Sequence, residues 1–227
     1  CLKYFAKINS EVIPALKSDP SSIDILSIRA TAGASKSELL KIFLKFKLSP
    51  ALMLAGLPGD IGGGVVMNAG VAENFSPREF VEIVDWVDVL KADQTIHRYS
   101  KADLHWSYRH CQGWQPGIIV EVGMSWPMNS DLQILEKVKE ANRIRLAKQP
   151  LDMPSCGSVF VNPAGHKAAQ LIDSCALKGH RCGDAQVSLK HANFIVNLGS
   201  ATATDTWKLI TEVQEVVFQK TGVQLCT

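Results

Sequence analysis

Glycines are concentrated in one segment, residues 55–70, which holds six of the 16 glycines in the chain. Glycine permits backbone conformations with positive φ and lets N–H groups approach a ligand closely, and a helix that begins after such a loop favours an anion. The segment lacks the lysine and serine of a triphosphate-binding loop and does not match a dinucleotide-binding fingerprint between a strand and a helix. A tight loop with close helix packing is the alternative explanation, which glycine counts by themselves favour.

An arginine that could bind a carboxylate occurs at Arg109, which follows Tyr108 in a polar loop after Trp106. A planar guanidinium can donate two parallel hydrogen bonds to a carboxylate, whereas a lysine ammonium acts as a point charge. The alternative is a surface arginine whose methylene stem covers Trp106, and the sequence in isolation favours that alternative.

A serine in a polar and apolar context occurs at Ser158, which follows Gly157 and precedes an apolar run that ends at Asn162. In a strand over residues 158–162, Ser158 and Asn162 would share one face, where a hydroxyl and a carboxamide could bind a polar substrate. Ser158 is not in a nucleophile-elbow motif, and the following histidines show no triad order: His166, His180 and His191. A serine that caps or closes a turn is the alternative, and the spacing favours it.

A fourth segment, residues 183–197, alternates polar and apolar residues, as does a strand that lines a binding face. Gln186, Ser188 and Lys190 are polar members of this alternation. An ordinary half-exposed strand explains the same pattern, and the pattern favours it. A lone histidine such as His191 is likewise more typical of hydrogen-bonded structure than of a catalytic base.

Periodicity predicts the elements that position these candidates. The strands expected in the first part of the chain are residues 23–30, 80–92, 94–99 and 117–126, the last of them central because it is largely apolar. The helices expected there are residues 35–47, with a capping box at 35–38, and residues 131–148, which end before Pro150. The end of that helix is the best domain boundary.

After this boundary the pattern changes. The elements expected there are a strand at 158–162, a helix at 164–176, a turn and strand at 185–198, and a helix at 204–221. The last helix is amphipathic, with four residues predicted to face inward: Trp207, Ile210, Val213 and Val217. Because strands and helices alternate irregularly, the sequence favours an α+β architecture over a doubly wound parallel sheet.

Composition excludes several classes of protein. The chain has 227 residues, 46% hydrophobic and 20% charged, which excludes a wholly disordered or fibrous protein. A formal net charge of +2 gives no basic footprint for nucleic acid, and no apolar run is long enough to cross a membrane. The six cysteines show no CxxC spacing, so they are expected to be reduced thiols of a cytoplasmic protein without a metal site.

Several segments, taken together, resemble the UDP-N-acetylenolpyruvoylglucosamine reductase family, also called UDP-N-acetylmuramate dehydrogenases. The resemblance runs in order from about Ala32 to the end of the chain. Residues 56–63 and 67–70 resemble the flavin-contacting segment of the family, and Tyr108-Arg109 resembles its substrate arginine motif. The most specific block is C-terminal and comprises residues 154–163, 171–172, 177–179, 185–188, 191–197 and 201–203.

The resemblance implies a bacterial, cytoplasmic and monomeric flavoenzyme of peptidoglycan precursor synthesis. Residues 1–148 would be the second lobe of a vanillyl-alcohol-oxidase-type FAD-binding domain, and residues 149–227 an α+β substrate-binding domain. NADPH would reduce FAD, and the reduced flavin would reduce the enolpyruvyl ether of UDP-N-acetylglucosamine enolpyruvate.

The resemblance also assigns roles to residues of this chain. Arg109 and Ser158 would be catalytic, because a guanidinium stabilises the enolate-like charge and the serine hydroxyl donates the proton. The implied cofactor-binding residues are Pro58, Gly59, Ile61, Gly62, Gly63, Asn68, Ala69, Gly70 and Val120. The implied substrate-binding residues are Tyr108, Arg109, Lys148, Ser158, Asn162 and His191.

The chain departs from the family pattern at three places. Nothing before Ala32 matches the glycine-serine-asparagine loop of the first flavin-binding lobe, and residues 74–77 replace a tyrosine-containing turn. The catalytic glutamate that the family places near its C-terminus does not occur before Thr227. The sequence is therefore expected to be a fragment. The alternative hypothesis is a non-catalytic nucleotide-sugar-binding module that has lost flavin.

Overall fold

The computed structural model describes residues 6–15, 22–71 and 75–227. The chain divides into two compact units, Cys1–Asn142 and Arg143–Thr227. The division falls inside helix α4 (Ile134–Lys148), a few residues before the expected domain boundary at 148.

Within the described residues, unit 1 is built on an antiparallel sheet of five strands in the order β1-β2-β7-β3-β4. The strands are β1 (Ile8–Ile13), β2 (Ile25–Thr31), β3 (Val84–Leu90), β4 (Ile96–Ser100) and β7 (Ile118–Pro127). The prediction of a central, largely apolar strand near residues 117–126 is confirmed, because β7 lies between β2 and β3. The predicted hairpin is also confirmed by the antiparallel pairing of β3 with β4. A second hairpin joins β5 (His105–Ser107) to β6 (His110–Gln112).

The first helix of unit 1 confirms its sequence signal. Helix α1 spans Lys36–Lys45, and the side chain of its N-cap residue Ser35 accepts a hydrogen bond from the N–H of Glu38. In return, the carboxylate of Glu38 accepts a hydrogen bond from the N–H of Ser35, which completes the predicted capping box. The other helices of unit 1 are α2 (Pro50–Leu54) and α3 (Ile61–Val66).

The predicted strand over residues 80–92 is wrong at its beginning, where a 3-10 turn spans Phe80–Glu82. The carboxylate of Glu82 accepts hydrogen bonds from the N–H groups of Arg78 and Glu79 at 2.7 and 2.9 Å. These bonds satisfy backbone donors locally, so the chain turns before the sheet begins at Val84.

Unit 2 contains a smaller antiparallel sheet in the order β8-β11-β10-β9 within the described residues. Its strands are β8 (Ser155–Ser158), β9 (Arg181–Cys182), β10 (Ala185–Val187) and β11 (Phe194–Asn197), and its helices are α5 (Ala168–Ser174) and α6 (Ala203–Thr221). These elements enclose a hydrophobic core of their own, which includes Ile172, Val187 and Val213.

Two predictions for unit 2 are wrong. The strand expected over residues 158–162 instead ends at Ser158, because the side chain of Asn193 pairs with the backbone of Phe160. Trp207, expected to face inward, is 69% exposed. The buried stripe of α6 runs through Leu209 and Val213. Trp207 lies two positions before Leu209 and therefore about 200° around the helix from it. No helix in the described part of the chain is both long and apolar enough to span a membrane.

Candidate functional site

The glycine-dense segment forms a loop that leads into the short helix α3 and borders a cleft of about 350 Å³. Gly33, Gly62, Gly63, Trp114 and Ile119 are among the residues that line this cleft. The N–H of Gly62 donates to the carbonyl of Ala32 at 2.8 Å. The N–H of Gly63 has no hydrogen-bond partner among residues 6–15, 22–71 and 75–227. Apart from Asp60, the side chains that line the cleft are apolar, and the N–H of Gly63 is a backbone donor at its edge.

The three consecutive glycines of α3 have different reasons to be glycine. A Cβ on Gly62 would lie 2.8 Å from the Cβ of Ala32, and a Cβ on Gly64 would lie 2.5 Å from the ring of Phe80. Both distances are too short for packed carbon atoms, so close packing accounts for these two glycines. A Cβ on Gly63 would meet nothing within 4 Å. Gly63 faces the cleft, and packing does not explain it.

A buried lysine supports the loop from below. Lys36 is only 6% exposed, and its Nζ donates to the carbonyl oxygen of Pro58 at 2.7 Å. Burial lowers the pKa of Lys36, although the nearby charge of Asp60 opposes this shift. Sequence reasoning did not identify Lys36, although it lies on the same helical stripe as the buried Leu39 and Phe43.

Arg109 lies in the turn between β5 and β6, where its backbone is left-handed, with φ of 57°. Its Nη2 donates to the carbonyl of Gly70 at 2.8 Å, and its Nη1 lies 3.4 Å from the carbonyl oxygen of Asn68. The same Nη1 lies 3.5 Å from Oε1 of Glu79. The guanidinium carbon also lies 4.8 Å from the centre of the Tyr108 ring. The structure thus holds this guanidinium at the end of the glycine-dense segment.

Asn68 joins the glycine-dense segment to the turn at Tyr108-Arg109, between β5 and β6 (the arginine turn). Its side chain is buried, and its Nδ2 donates to Oε2 of Glu79 at 2.9 Å and to the carbonyl of Ser107 at 3.1 Å. Its Oδ1 accepts from the N–H of Val81 at 3.0 Å. Sequence reasoning missed Glu79, which lies two positions after the segment expected to depart from the family pattern.

The expected cofactor-binding residues fall into separate places in unit 1. Gly62 and Gly63 line the cleft, whereas the side chain of Ile61 is fully buried in the core. The other members have the following positions: the carbonyl of Val120 accepts from Ala32 at 2.9 Å, Pro58 and Gly59 lie over Lys36, and Asn68, Ala69 and Gly70 follow α3. Asn74, at the start of the departing segment 74–77, lies outside the described residues.

Ser158 is exposed at the last position of β8, opposite Phe194 of β11. Gly157, just before it, has φ of +88°, a conformation that side chains on L-residues disfavour. Within the described parts of the chain, the hydroxyl of Ser158 has no hydrogen-bond partner. The following backbone is held by Asn193, whose Oδ1 accepts from the N–H of Phe160 at 2.9 Å and whose Nδ2 donates to its carbonyl at 2.8 Å.

The remaining expected substrate residues of unit 2 have different surroundings. Oδ1 of Asn162 accepts from the N–H of Ala168 at 3.0 Å, at the beginning of α5, so Asn162 does not share a strand face with Ser158. Nδ1 of His191 accepts from the N–H of Asn193 at 3.3 Å. Burial lowers the pKa of His191, and the positive charge of Lys178 adds to this effect. Lys148 is exposed at the last position of α4.

Among the residues that the structure describes, no group of three or more histidine, cysteine or acidic side chains is arranged to hold a metal ion. The chemical groups at hand are therefore a held guanidinium in unit 1 and an exposed hydroxyl in unit 2.

Comparison with solved structures defines the class of fold. A crystal structure of UDP-N-acetylenolpyruvylglucosamine reductase from Thermus caldophilus superposes with a TM-score of 0.73 and 34% identity, and the match covers 87% of this chain and 70% of that one. The predicted mixed α and β architecture is confirmed. The family model of the UDP-N-acetylenolpyruvoylglucosamine reductase C-terminal domain matches residues 149–227.

Curated relatives extend the match over both units. A UDP-N-acetylenolpyruvoylglucosamine reductase from Limosilactobacillus fermentum is 41% identical over 201 residues, which cover 88% of this chain and 66% of the relative. A UDP-N-acetylenolpyruvoylglucosamine reductase from Latilactobacillus sakei is 37% identical over 219 residues, which cover 96% of this chain and 71% of the relative. The chain thus spans about two thirds of the length of these relatives. It belongs to the UDP-N-acetylenolpyruvoylglucosamine reductase family, and the resemblance inferred from its motifs is confirmed.

Proposed function

We propose that the chain carries out the reduction of UDP-N-acetylglucosamine enolpyruvate to UDP-N-acetylmuramate in the bacterial cytoplasm, as a step of peptidoglycan precursor synthesis. The observation that carries this proposal is the match to relatives named as reductases across both units, at 41% identity for the Limosilactobacillus fermentum protein. NADPH is the proposed reductant and FAD the proposed cofactor.

Unit 1 has a surface that fits part of a flavin. The cleft beside α3 is largely apolar, the N–H of Gly63 is available at its edge, and the space over Gly63 is open to 4 Å. A flat aromatic ring system can use such a surface, because apolar walls bury its faces while a backbone donor meets its polar edge. We assign residues 1–148 to the second lobe of a vanillyl-alcohol-oxidase-type FAD-binding domain, with Gly62, Gly63 and Val120 nearest the cofactor. The chemistry that FAD supplies when bound is hydride transfer, from NADPH and then to the methylene carbon of the enolpyruvyl ether.

Arg109 is proposed to bind the carboxylate of the enolpyruvyl group. After a hydride adds to the methylene carbon, negative charge accumulates on the neighbouring carbon and its carboxylate as an enolate. A guanidinium already held by the carbonyl of Gly70 needs little reorganisation to stabilise that charge. Tyr108, whose ring faces the guanidinium, helps to place it in this proposal.

Ser158 is proposed to give its hydroxyl proton to the carbon that bears the carboxylate. A serine hydroxyl is a weak acid in water, but the enolate carbon is strongly basic, so a positioned donor is sufficient. The hydroxyl is exposed and unbonded within the described residues, so it can turn towards a substrate. The product then carries one added hydride and one added proton. Lys148, Asn162 and His191 are the further residues that we assign to substrate binding.

The test is a titration of the purified chain with FAD, followed by visible absorption, and then with the enolpyruvyl substrate. We expect a bound flavin band that shifts when substrate is added, and bleaching of that band by NADPH. The Ser158→Ala variant should keep the NADPH-driven bleaching and slow the reoxidation of the flavin by substrate. The matched Ser155→Ala variant, on the same strand, should leave both rates unchanged.

Loss of both half-reactions to the same extent in the Ser158→Ala variant would remove Ser158 from the proposed role. If the chain binds the sugar nucleotide in calorimetry but does not bind FAD, the titration is repeated with the full reading frame. A full reading frame that also fails to bind FAD would support the non-catalytic binding module.

A further inference from the structure

Glu79 is the one acidic side chain among the described residues that is recorded within 4 Å of the guanidinium of Arg109. The distance from Nη1 of Arg109 to Oε1 of Glu79 is 3.5 Å, and about a quarter of each side chain is exposed. The other carboxylate oxygen, Oε2, accepts a hydrogen bond from Nδ2 of Asn68 at 2.9 Å. The two oxygens therefore face two different partners.

Asn68 makes the orientation of Glu79 rigid. The buried side chain of Asn68 is itself fixed on three sides, by Glu79, by the carbonyl of Ser107 and by the N–H of Val81. The backbone of Glu79 also forms an antiparallel bridge with Gly70, the residue whose carbonyl accepts from Arg109. Both the side chain and the backbone of Glu79 thus belong to the frame around the guanidinium.

We propose that Glu79 is a positioning residue that orients Arg109 and weakens its attraction for the substrate carboxylate, an inference that rests on the proposed role of Arg109. A carboxylate 3.5 Å from Nη1 attracts that edge of the guanidinium. Nη2 donates one of its two N–H groups to Gly70, so within the described residues the Nε–H and the second N–H of Nη2 are left for a ligand. Its negative charge also repels an incoming carboxylate over a few ångströms. Glu79 thus lowers the affinity for substrate but fixes the direction of the guanidinium of Arg109. A fixed direction matters most in the transition state, where negative charge accumulates on the substrate.

The test compares Glu79→Gln with Glu82→Gln. The first variant keeps an oxygen that accepts from Asn68 but removes the charge beside Arg109. The second makes the same chemical change in the same 3-10 turn, at a residue that accepts from the N–H groups of Arg78 and Glu79. Circular dichroism and thermal unfolding verify that both variants are folded.

Binding is measured by calorimetry with UDP-N-acetylglucosamine enolpyruvate and with UDP-N-acetylglucosamine, which lacks the carboxylate. For Glu79→Gln we expect the enolpyruvyl compound to bind about three- to tenfold more tightly, because one repulsive charge is gone. The affinity for UDP-N-acetylglucosamine should not change. The rate of flavin reoxidation at saturating substrate should fall about tenfold because the guanidinium is less well oriented. Glu82→Gln should alter neither quantity.

A readout without substrate separates this inference from the proposed function. At low temperature, NMR of the arginine side chains should show a restrained guanidinium for Arg109, identified by its loss in Arg109→Lys. In Glu79→Gln this signal should broaden, whereas in Glu82→Gln it should persist.

The outcomes are distinct. If the unmodified chain binds both nucleotides equally, the carboxylate-binding role of Arg109 fails, and the affinity effect of Glu79 is overturned with it. If the unmodified chain prefers the enolpyruvyl compound but Glu79→Gln changes neither affinity, rate nor NMR signal, Glu79 alone is overturned and Arg109 keeps its role. If Glu79→Gln does not fold, Glu79→Asp is measured instead. That variant keeps the negative charge but moves it away from Arg109, because the aspartate side chain is shorter. An unchanged NMR signal of Arg109 in this variant overturns the inference.

Discussion

The arginine turn of unit 1 and strand β8 of unit 2, which ends at Ser158 (the serine strand), stabilise different parts of their functional residue. One holds the head of the side chain and the other holds the backbone. At Arg109 the head of the side chain is held, by the carbonyl of Gly70 and by the carboxylate of Glu79. At Ser158 the backbone after the residue is held, through the amide of Asn193, while the hydroxyl makes no hydrogen bond within the described residues.

The difference follows from the chemistry expected of each group. A guanidinium that stabilises a developing charge is most effective when its direction is set in advance, because no reorganisation is then needed. A hydroxyl that gives up a proton has to rotate towards the substrate, so a fixed backbone with an unbonded head suits it. Each residue is therefore supported where movement would be harmful.

The largest effect is expected from breaking the support behind Ser158. Asn193→Ala removes both hydrogen bonds to Phe160 and leaves a buried N–H and C=O unpaired, which should lower the free energy of unfolding by about 2–4 kcal/mol. Urea unfolding followed by circular dichroism measures this. As a control, Asn162→Ala removes one part-buried hydrogen bond at the start of α5 and should cost roughly 1 kcal/mol. Equal losses in the two variants would contradict the bracing role of Asn193.

Cysteines report how open the two regions are. Cys111, in β6 beside the arginine turn, is buried, and burial raises the pKa of its thiol from 9.0 to about 11. Burial lowers the thiolate fraction of Cys111 and hinders access of the reagent, so iodoacetamide should modify the exposed Cys156 of β8 on the order of a hundredfold faster than Cys111. Mass spectrometry of digested samples gives both rates. Comparable rates for both would show that the arginine turn opens as readily as the serine strand.

Two neighbouring glycines separate packing from cofactor binding in unit 1. Gly64→Ala places a Cβ against the ring of Phe80, which should lower the free energy of unfolding by about 1–3 kcal/mol. Gly63→Ala meets no atom and should raise it by up to about 1 kcal/mol, because alanine favours a helix. Urea unfolding measures both. FAD titration should then show weaker binding for Gly63→Ala despite its stability, and unchanged FAD affinity would move the cofactor away from α3.

The smallest effect is expected at His191 and should be confined to unit 2. Burial disfavours the imidazolium, so the pKa of His191 in the folded protein lies below 6.5. The unfolded chain therefore binds a proton first as the pH falls through 6.5, and stability decreases from there until the folded pKa is reached. His191→Asn keeps an acceptor for the N–H of Asn193. It should remove the part of the decrease in the free energy of unfolding at low pH that comes from protonation of His191. NMR titration of the His191 ring checks the direction, and a midpoint above 6.5 would contradict it.

Local signals were sufficient for much of the fold. The capping box at Ser35, the apolar run of β7 and the hairpin of β3 with β4 depend on neighbours in sequence, and the structure confirms each of them. The predictions failed where a side chain, distant or local, replaced a regular backbone partner. Asn193 takes the place of a strand beside Phe160, and Glu82 closes a turn where a strand was expected.

The sequence by itself determined the family, through the resemblance of its motifs, and it singled out Arg109 and Ser158 as candidates, because a motif is a property of consecutive residues. It left open whether the glycines serve packing or a ligand, and only the tertiary structure divided them, with Gly62 and Gly64 packed and Gly63 open. Tertiary structure alone also brought Lys36 under the loop at Pro58 and Glu79 to Arg109. Neither pair shares a motif, because a hydrogen bond or an ion pair depends on distance in space, which the folding of the whole unit sets.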